Sequence, residues 1–271
     1  MGYILIFGGV LFALYLWAIM PRMTERPDFS PLMDHYYAHR GLHDNAGEAP
    51  ENSMAAFRKA VEAGYGIELD VQLTKDRIPV VFHDETLDRI CGTSGKVRDF
   101  TYKELQAFPL LNSNERIPLF ADFLKLVDGR VPLIIEIKIH ENTNTVCSAA
   151  DALIRQYKGV YCVESFHPLA VRWYRKNRPE VIRGQLSSNF NKPDKKEPFE
   201  QCLVHHLLTN FLCRPDFIAY DHHHKTCLSR KLCQALFHPL DVAWTIRSQK
   251  ELDACKQDFD LFIFERFLPK E

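Results

Sequence analysis

Eight short runs rich in β-branched and aromatic residues recur along this chain with helix-length segments between them, and no other feature limits the fold as strongly. The runs are Tyr36–Ala38, Ile67–Val71, Leu133–Ile139, Val160–Ser165, Val181–Leu186, Phe217–Tyr220, Val242–Ile246 and Leu261–Phe264. Helical segments such as Ser53–Ala63, Asn144–Tyr157 and Leu169–Asn177 lie between them. Parallel strands need such crossovers, and eight βα units suffice to close a barrel. The expected fold class is therefore α/β, a (β/α)8 barrel over residues 35–271.

An additional run, Pro79–His83, follows the second strand after only Lys75–Arg77, too short for a crossover, so it returns antiparallel as a hairpin. The polar stretch 84–116, with Gly92 and Gly95, has little strand character and reads as a small insertion above the barrel mouth. Residues Asn191–Glu200 read as a solvated loop, and Cys202–Leu212 as an apolar outer helix that could flank an acyl-binding groove. No period of about 20–50 residues recurs, which excludes solenoids and propellers.

At the N-terminal end, Met1–Met20 carries no charge and is apolar apart from two glycines within Tyr3–Met20, the pattern of one transmembrane anchor over residues 1–20. Nothing basic precedes Tyr3 and Pro21-Arg22-Met23 follows, unlike a cleaved secretory signal. A linker covers 21–34, and its Arg22 and Arg26 predict a single-pass membrane protein with the catalytic domain in the cytoplasm. Eight cysteines without a C-x-x-C pair fit reduced thiols rather than a zinc site or disulfide scaffold. With 34 Lys and Arg against 35 Asp and Glu, no global positive field recommends a nucleic-acid partner.

Glu68 and Asp70 are two apart on a strand and share a face; Glu136 and Lys138 repeat that geometry on the next barrel strand. Either pair alone also fits a buried ion pair at a strand end. Together, three carboxylates with one lysine suggest a hard divalent cation, magnesium or calcium. His39 and Arg40 end the first strand before Gly41, and His83 ends the hairpin strand. Two histidines can serve as base and acid, while Arg40 and Lys138 can bind phosphate oxygens. The runs His205-His206 and His222–His224 lack H-E-x-x-H spacing and read as structural, as do the Cys and His between Asp221 and Cys233, with His222 placed to line the mouth.

These residues fall in the segments A-H-R-G (38–41), P-E-N-S (50–53), G-I-E-L-D-V-Q-L-T-K-D (66–76) and P-V-V-F-H-D (79–84), followed by I-E-I-K (135–138), E-S-F-H (164–167), D-F-I-A-Y-D (216–221) and V-A-W-T-I (242–246). The chain thereby resembles the glycerophosphodiester phosphodiesterase family over roughly residues 35–266. The resemblance implies a TIM barrel with an inserted subdomain, a divalent metal, and hydrolysis of glycerophosphodiesters to an alcohol and sn-glycerol 3-phosphate. It implies Glu68, Asp70 and Glu136 as metal ligands, His39 and His83 as the acid-base pair, and Arg40 and Lys138 as phosphate contacts. Glu51 then binds the metal shell or the substrate glycerol, or caps the following helix with Asn52 and Ser53; Trp244 lines the mouth or packs beneath it. One histidine deprotonates the attacking oxygen, of water or of the substrate's own 2-hydroxyl, and the other protonates the leaving alkoxide.

The chain departs from the family pattern where a T-D-R-P-like motif gives way to F-E-R-F (264–267), with the final helix missing or shortened. A sharper variant of the activity is a membrane-associated lysophospholipase D acting on lysophospholipids. A non-catalytic membrane-bound sensor of glycerophosphodiesters is the alternative from another class, and the acid-base pair counts against it because binding alone needs none.

Overall fold

Strands whose side chains are buried on both faces form a parallel sheet closed on itself, the arrangement expected when helices cover its outside. The computed structural model describes residues 2–140, 142–191 and 198–270. Its strands are β1 (Tyr36–His39), β2 (Gly66–Leu73), β3 (Pro79–Val81), β4 (Leu133–Ile137), β5 (Tyr161–Ser165), β6 (Arg183–Ser187), β7 (Phe217–Asp221), β8 (Leu240–Ile246) and β9 (Leu261–Phe264). All eight residues of β2 and all five of β4 are buried. The order β1-β9-β8-β7-β6-β5-β4-β2 closes through a β1–β2 pairing, giving the eight parallel strands of a (β/α)8 barrel. Ala38 of β1 sits between Phe264 of β9 and Ile67 of β2, so the seam is complete. Strand β3 lies antiparallel on the end of β2, as the short turn requires, with Leu73 opposite Pro79.

Alternation along each strand divides the barrel interior into an apolar floor and a charged top. The floor is a cluster of Tyr37, Ile134, Cys162, Leu186, Phe217 and neighbouring residues, closed from below by Leu32 on the 3-10 turn Ser30–Leu32. Tyr37 Oη donates to the Leu32 carbonyl at 2.7 Å. Two residues further along, the same faces carry His39, Glu136 and their neighbours, with His39 in register with Glu68, Asp70 with Glu136, and Glu136 with Glu164.

Within the insertion 84–116, Leu87, Ile90, Val97, Leu105 and Leu110 join Val80, Phe82 and Ile117 in a core of their own. Other expectations do change. The expected helix Cys202–Leu212 is two short helices, Phe199–His205 and Asn210–Cys213, separated by Leu207 at φ 56°, a left-handed conformation that an α-helix does not continue through. Of the expected loop Asn191–Glu200, residues 192–197 lie outside the described residues, and the helix begins at Phe199. The expected linker 21–34 is laced to the barrel floor, with the Arg22 amide donating to the Pro215 carbonyl at 2.9 Å and its guanidinium 3.4 Å from Asp216.

The transmembrane expectation is not supported. Among the described residues, no helix is long and apolar enough to cross a membrane. Helix α1 (Gly2–Ile19) has 18 residues, about 27 Å. Its last turns are also committed to the barrel: Ile19 is fully buried, Tyr15 Oη donates to Ser229 Oγ at 2.9 Å, and Asn210 Nδ2 donates to the Ile19 carbonyl at 2.8 Å.

Candidate active site

Charged residues at the C-terminal ends of β1, β2, β4 and β5 converge on the top of the barrel, the face where such barrels place their chemistry. Oxygens of Glu68, Asp70 and Glu136 come within 4.8 Å of one another, all three residues buried. The sequence therefore placed its metal-ligand candidates together. Burial, with Asp70, Glu136 and Glu164 beside it, holds Glu68 well above the usual carboxylate range, and burial also raises Glu136. Burial works against the charge on Asp70 as well, but Lys138, His83 and Arg40 outweigh it and hold its carboxyl well below its ordinary value. Lys138 Nζ lies 2.7 Å from Glu136 Oε2 and 3.0 Å from Asp70 Oδ1. All the donors are carboxylate oxygens, the set that magnesium or calcium takes, and a divalent cation would offset the crowding that raises Glu68 and Glu136.

His39 and His83 flank this cluster, and each has a carboxylate on Nδ1. Glu265 Oε2 is 2.7 Å from His39 Nδ1, and Asp84 Oδ1 is 2.6 Å from His83 Nδ1. A carboxylate there takes the Nδ1–H, which leaves Nε2 bare on the neutral ring. For His39 that atom faces Glu68, 3.9 Å away. Burial, then Arg40, pull His39 down to about 4, against a raising effect from Glu265. Arg247 Nε, 2.7 Å from Glu265 Oε1, steadies the carboxylate.

Arg40 sits at φ 57°, a strained conformation for a non-glycine residue, and its amide donates to Glu68 Oε2 at 3.1 Å. Its guanidinium donates to Glu51 at 2.5 Å. Glu51 also accepts two bonds from Arg89 and one from Asn45, each at 2.8 Å. Burial opposes the Glu51 charge, but Arg89 and Arg40 hold its carboxyl at about 2. Glu51 is thus a strut between Arg40 and Arg89, and its oxygens lie outside the carboxylate triad. The helix cap falls to Ser53, whose Oγ accepts from the Ala56 amide at 3.1 Å, while Asn52 Nδ2 donates to Asp70 at 2.8 Å.

A cavity of ≈ 880 Å³ opens beside the triad, with His83, Glu136 and Lys138 at one end and Phe166, Leu169, Phe190 and Leu203 along its wall. Trp244 is half-buried on β8, its ring 5.5 Å from that of Phe166 in edge contact. His205, His206 and Cys227 also cluster, but the two imidazoles stack 4.3 Å apart at 15°, and parallel rings do not aim their in-plane lone pairs at one ion. His222 and His223 gather near Glu251, with ring centroids 3.9 Å apart.

Sequence reasoning missed Asp84, Glu164 and Glu265. Asp84 stands in the quoted P-V-V-F-H-D segment, directly after His83. Glu265 is the acid of F-E-R-F, placed opposite His39 once the last strand is seen to pair with the first.

The sequence profile of the glycerophosphoryl diester phosphodiesterase family matches residues 39–210. This chain belongs to that family. Among curated proteins, the glycerophosphodiester phosphodiesterase of Caldanaerobacter subterraneus subsp. tengcongensis is 36% identical over 55% of this chain and 65% of its own length. A rat lysophospholipase D is 32% identical over 56% of this chain and 50% of its own length. The chain thus spans two thirds or less of the length of both relatives. In fold, this family member resembles a solved phosphodiesterase from Oleispira antarctica in complex with the product sn-glycerol-3-phosphate, with a TM-score of 0.69, 22% identity, and coverage of 86% of this chain and 93% of that one.

Proposed function

We propose that this chain hydrolyses glycerophosphodiesters to an alcohol and sn-glycerol 3-phosphate, with a divalent metal held by Glu68, Asp70 and Glu136. The observation that carries the reading is the pair of histidines, each with Nδ1 tied to a carboxylate, on either side of one buried carboxylate triad. A bound magnesium or calcium ion supplies Lewis-acid polarisation of the phosphate there. Arg40 and Lys138 bring positive charge to the phosphate oxygens, and Glu51 holds Arg40 in place. His39, kept neutral near pH 7 with Nε2 bare, accepts the proton of the attacking oxygen, either of water directly or of the glycerol 2-hydroxyl with water then opening the cyclic phosphate, and His83 in its protonated form donates one to the departing alkoxide. Release of glycerol 3-phosphate from glycerophosphocholine by the full chain, with and without EDTA, tests this; a folded, metal-supplied protein with no turnover on any glycerophosphodiester refutes it.

The assignment of His39 as base has a signed pH consequence. Its working form is unprotonated, so with the metal site kept saturated kcat/KM holds as pH falls from 7 and is lost as pH passes through about 4, well below an ordinary histidine limb. Because Glu265 raises His39, Glu265→Gln moves that limb to lower pH still. A limb near 6.5 that persists at saturating metal contradicts the assignment.

A second reading, lysophospholipase D activity on lysophospholipids, is favoured by the apolar wall of Phe166, Leu169, Phe190 and Leu203, which continues from Lys138. It predicts that lysophosphatidylcholine is cleaved with a lower KM than glycerophosphocholine, because only the lipid fills that wall.

A further inference from the structure

Helix α1 leaves an apolar surface uncovered on every side. Each residue from Tyr3 to Leu14 is exposed, including Tyr3 at 89%, Leu5 at 74% and Phe12 at 54%. Its direction follows from two contacts one helical turn apart: Tyr15 meets Ser229 and the Ile19 carbonyl meets Cys233 Sγ. The partner helix, Leu228–Phe237, runs from the C-terminal end of β7 down to the start of β8. The two helices are therefore parallel, and the twelve residues Tyr3–Leu14 rise past the first turn of that helix on the catalytic side of the barrel, by about 18 Å.

Exposed apolar groups elsewhere point the same way. Among the described residues outside α1, three large apolar side chains are more than 60% exposed: Phe199 at 76%, Leu228 at 67% and Leu268 at 61%. They follow β6, β7 and β9 in the chain, which puts all three on the C-terminal side of the barrel, the rim that carries the triad.

We propose that this rim docks on a lipid bilayer, with Tyr3–Leu14 immersed in the hydrocarbon and the catalytic mouth facing the headgroups. A protein partner, including a second copy of the chain, covers one stripe of a helix, whereas apolar exposure all round asks for an apolar medium all round. The immersed length exceeds one leaflet, half of a core about 30 Å thick, and falls short of a full crossing. Within the helix the backbone groups bond to one another, as hydrocarbon demands. The catalytic orientation rests on the reading of the barrel top as the active face; the docking itself does not.

The test is flotation of the full chain with vesicles of phosphatidylcholine and phosphatidylglycerol, read beside turnover of soluble glycerophosphocholine. Wild-type protein is expected to float. Leu5→Asp/Leu11→Asp should cut the bound fraction about tenfold or more. Phe199→Asp/Leu228→Asp should cut it about threefold or more, by the same cost of charge at an apolar boundary. Soluble turnover should be unchanged in both variants. Failure of the wild type to float, with or without a lipid-free dimer that Leu5→Asp/Leu11→Asp dissociates, overturns the proposal. A rim variant that floats like wild type also overturns it, since α1 is then a tether that sets no orientation. Absent turnover with intact flotation counts against the catalytic reading alone.

Discussion

His39→Ala is expected to lower kcat/KM for glycerophosphocholine by about 10²–10⁴-fold, the usual range for loss of a positioned proton acceptor. His39 touches the site through Nε2, while Glu265 acts on it only through Nδ1. Glu265→Gln should therefore fall between wild type and His39→Ala, with the loss in kcat and KM nearly unchanged, because the amide still fills the space but no longer stabilises the protonated ring. Arg247, whose contact here is with Glu265, is expected to leave KM unmoved. Steady-state kinetics of the two variants, with melting curves showing that both fold, decide the matter. Equal kcat for Glu265→Gln and wild type shows that the carboxylate does not serve His39.

Chelation should abolish turnover, and restoring magnesium or calcium should raise the melting temperature. At a free-ion concentration about 100 times Kd the stabilisation is about 2.7 kcal/mol. For a barrel of this size that corresponds to a rise of about 5–10 °C. Burial and like-charge crowding raise Glu68 and Glu136, so the ion must displace protons to bind. Its affinity should accordingly increase with pH, and the thermal shift at fixed ion concentration should be larger at pH 8 than at pH 6. Glu136→Gln removes one donor and should erase most of the shift while leaving the apo melting point close to wild type, because Lys138 keeps its contact with Asp70. A full shift in Glu136→Gln places the ion elsewhere.

The barrel was legible because its strands announce themselves locally. Leu261–Phe264 matches β9 at both ends, and Phe217–Tyr220 differs from β7 by one residue. The triad was legible for the same reason: a spacing of two along a strand fixes a shared face, and neighbouring parallel strands set the rest. What was not legible depends on contacts between distant segments. Glu265 acquires its role only through the pairing of β9 with β1, across 226 positions from His39. The core of the insertion draws on Val80 and Ile117 at its two flanks as well as on residues within it, so no window of local periodicity reveals it. The break in the helix at Leu207 has no glycine or proline to mark it. The anchor was read from composition alone, which reports that α1 is apolar but not that Tyr15 and Ile19 are already spent on the barrel.

The seam between β1 and β9 also bears on a chain still being made. A ribosome delivers His39, the triad and His83 long before it delivers Leu261–Glu265. Until that final strand emerges, the barrel is open along one edge and His39 lacks its Nδ1 partner. A nascent chain that stops short of Leu261–Glu265 therefore carries nearly all of the candidate site's side chains without the strand that closes the barrel around them, and on the proposed reading it stays inactive until β9 pairs with β1.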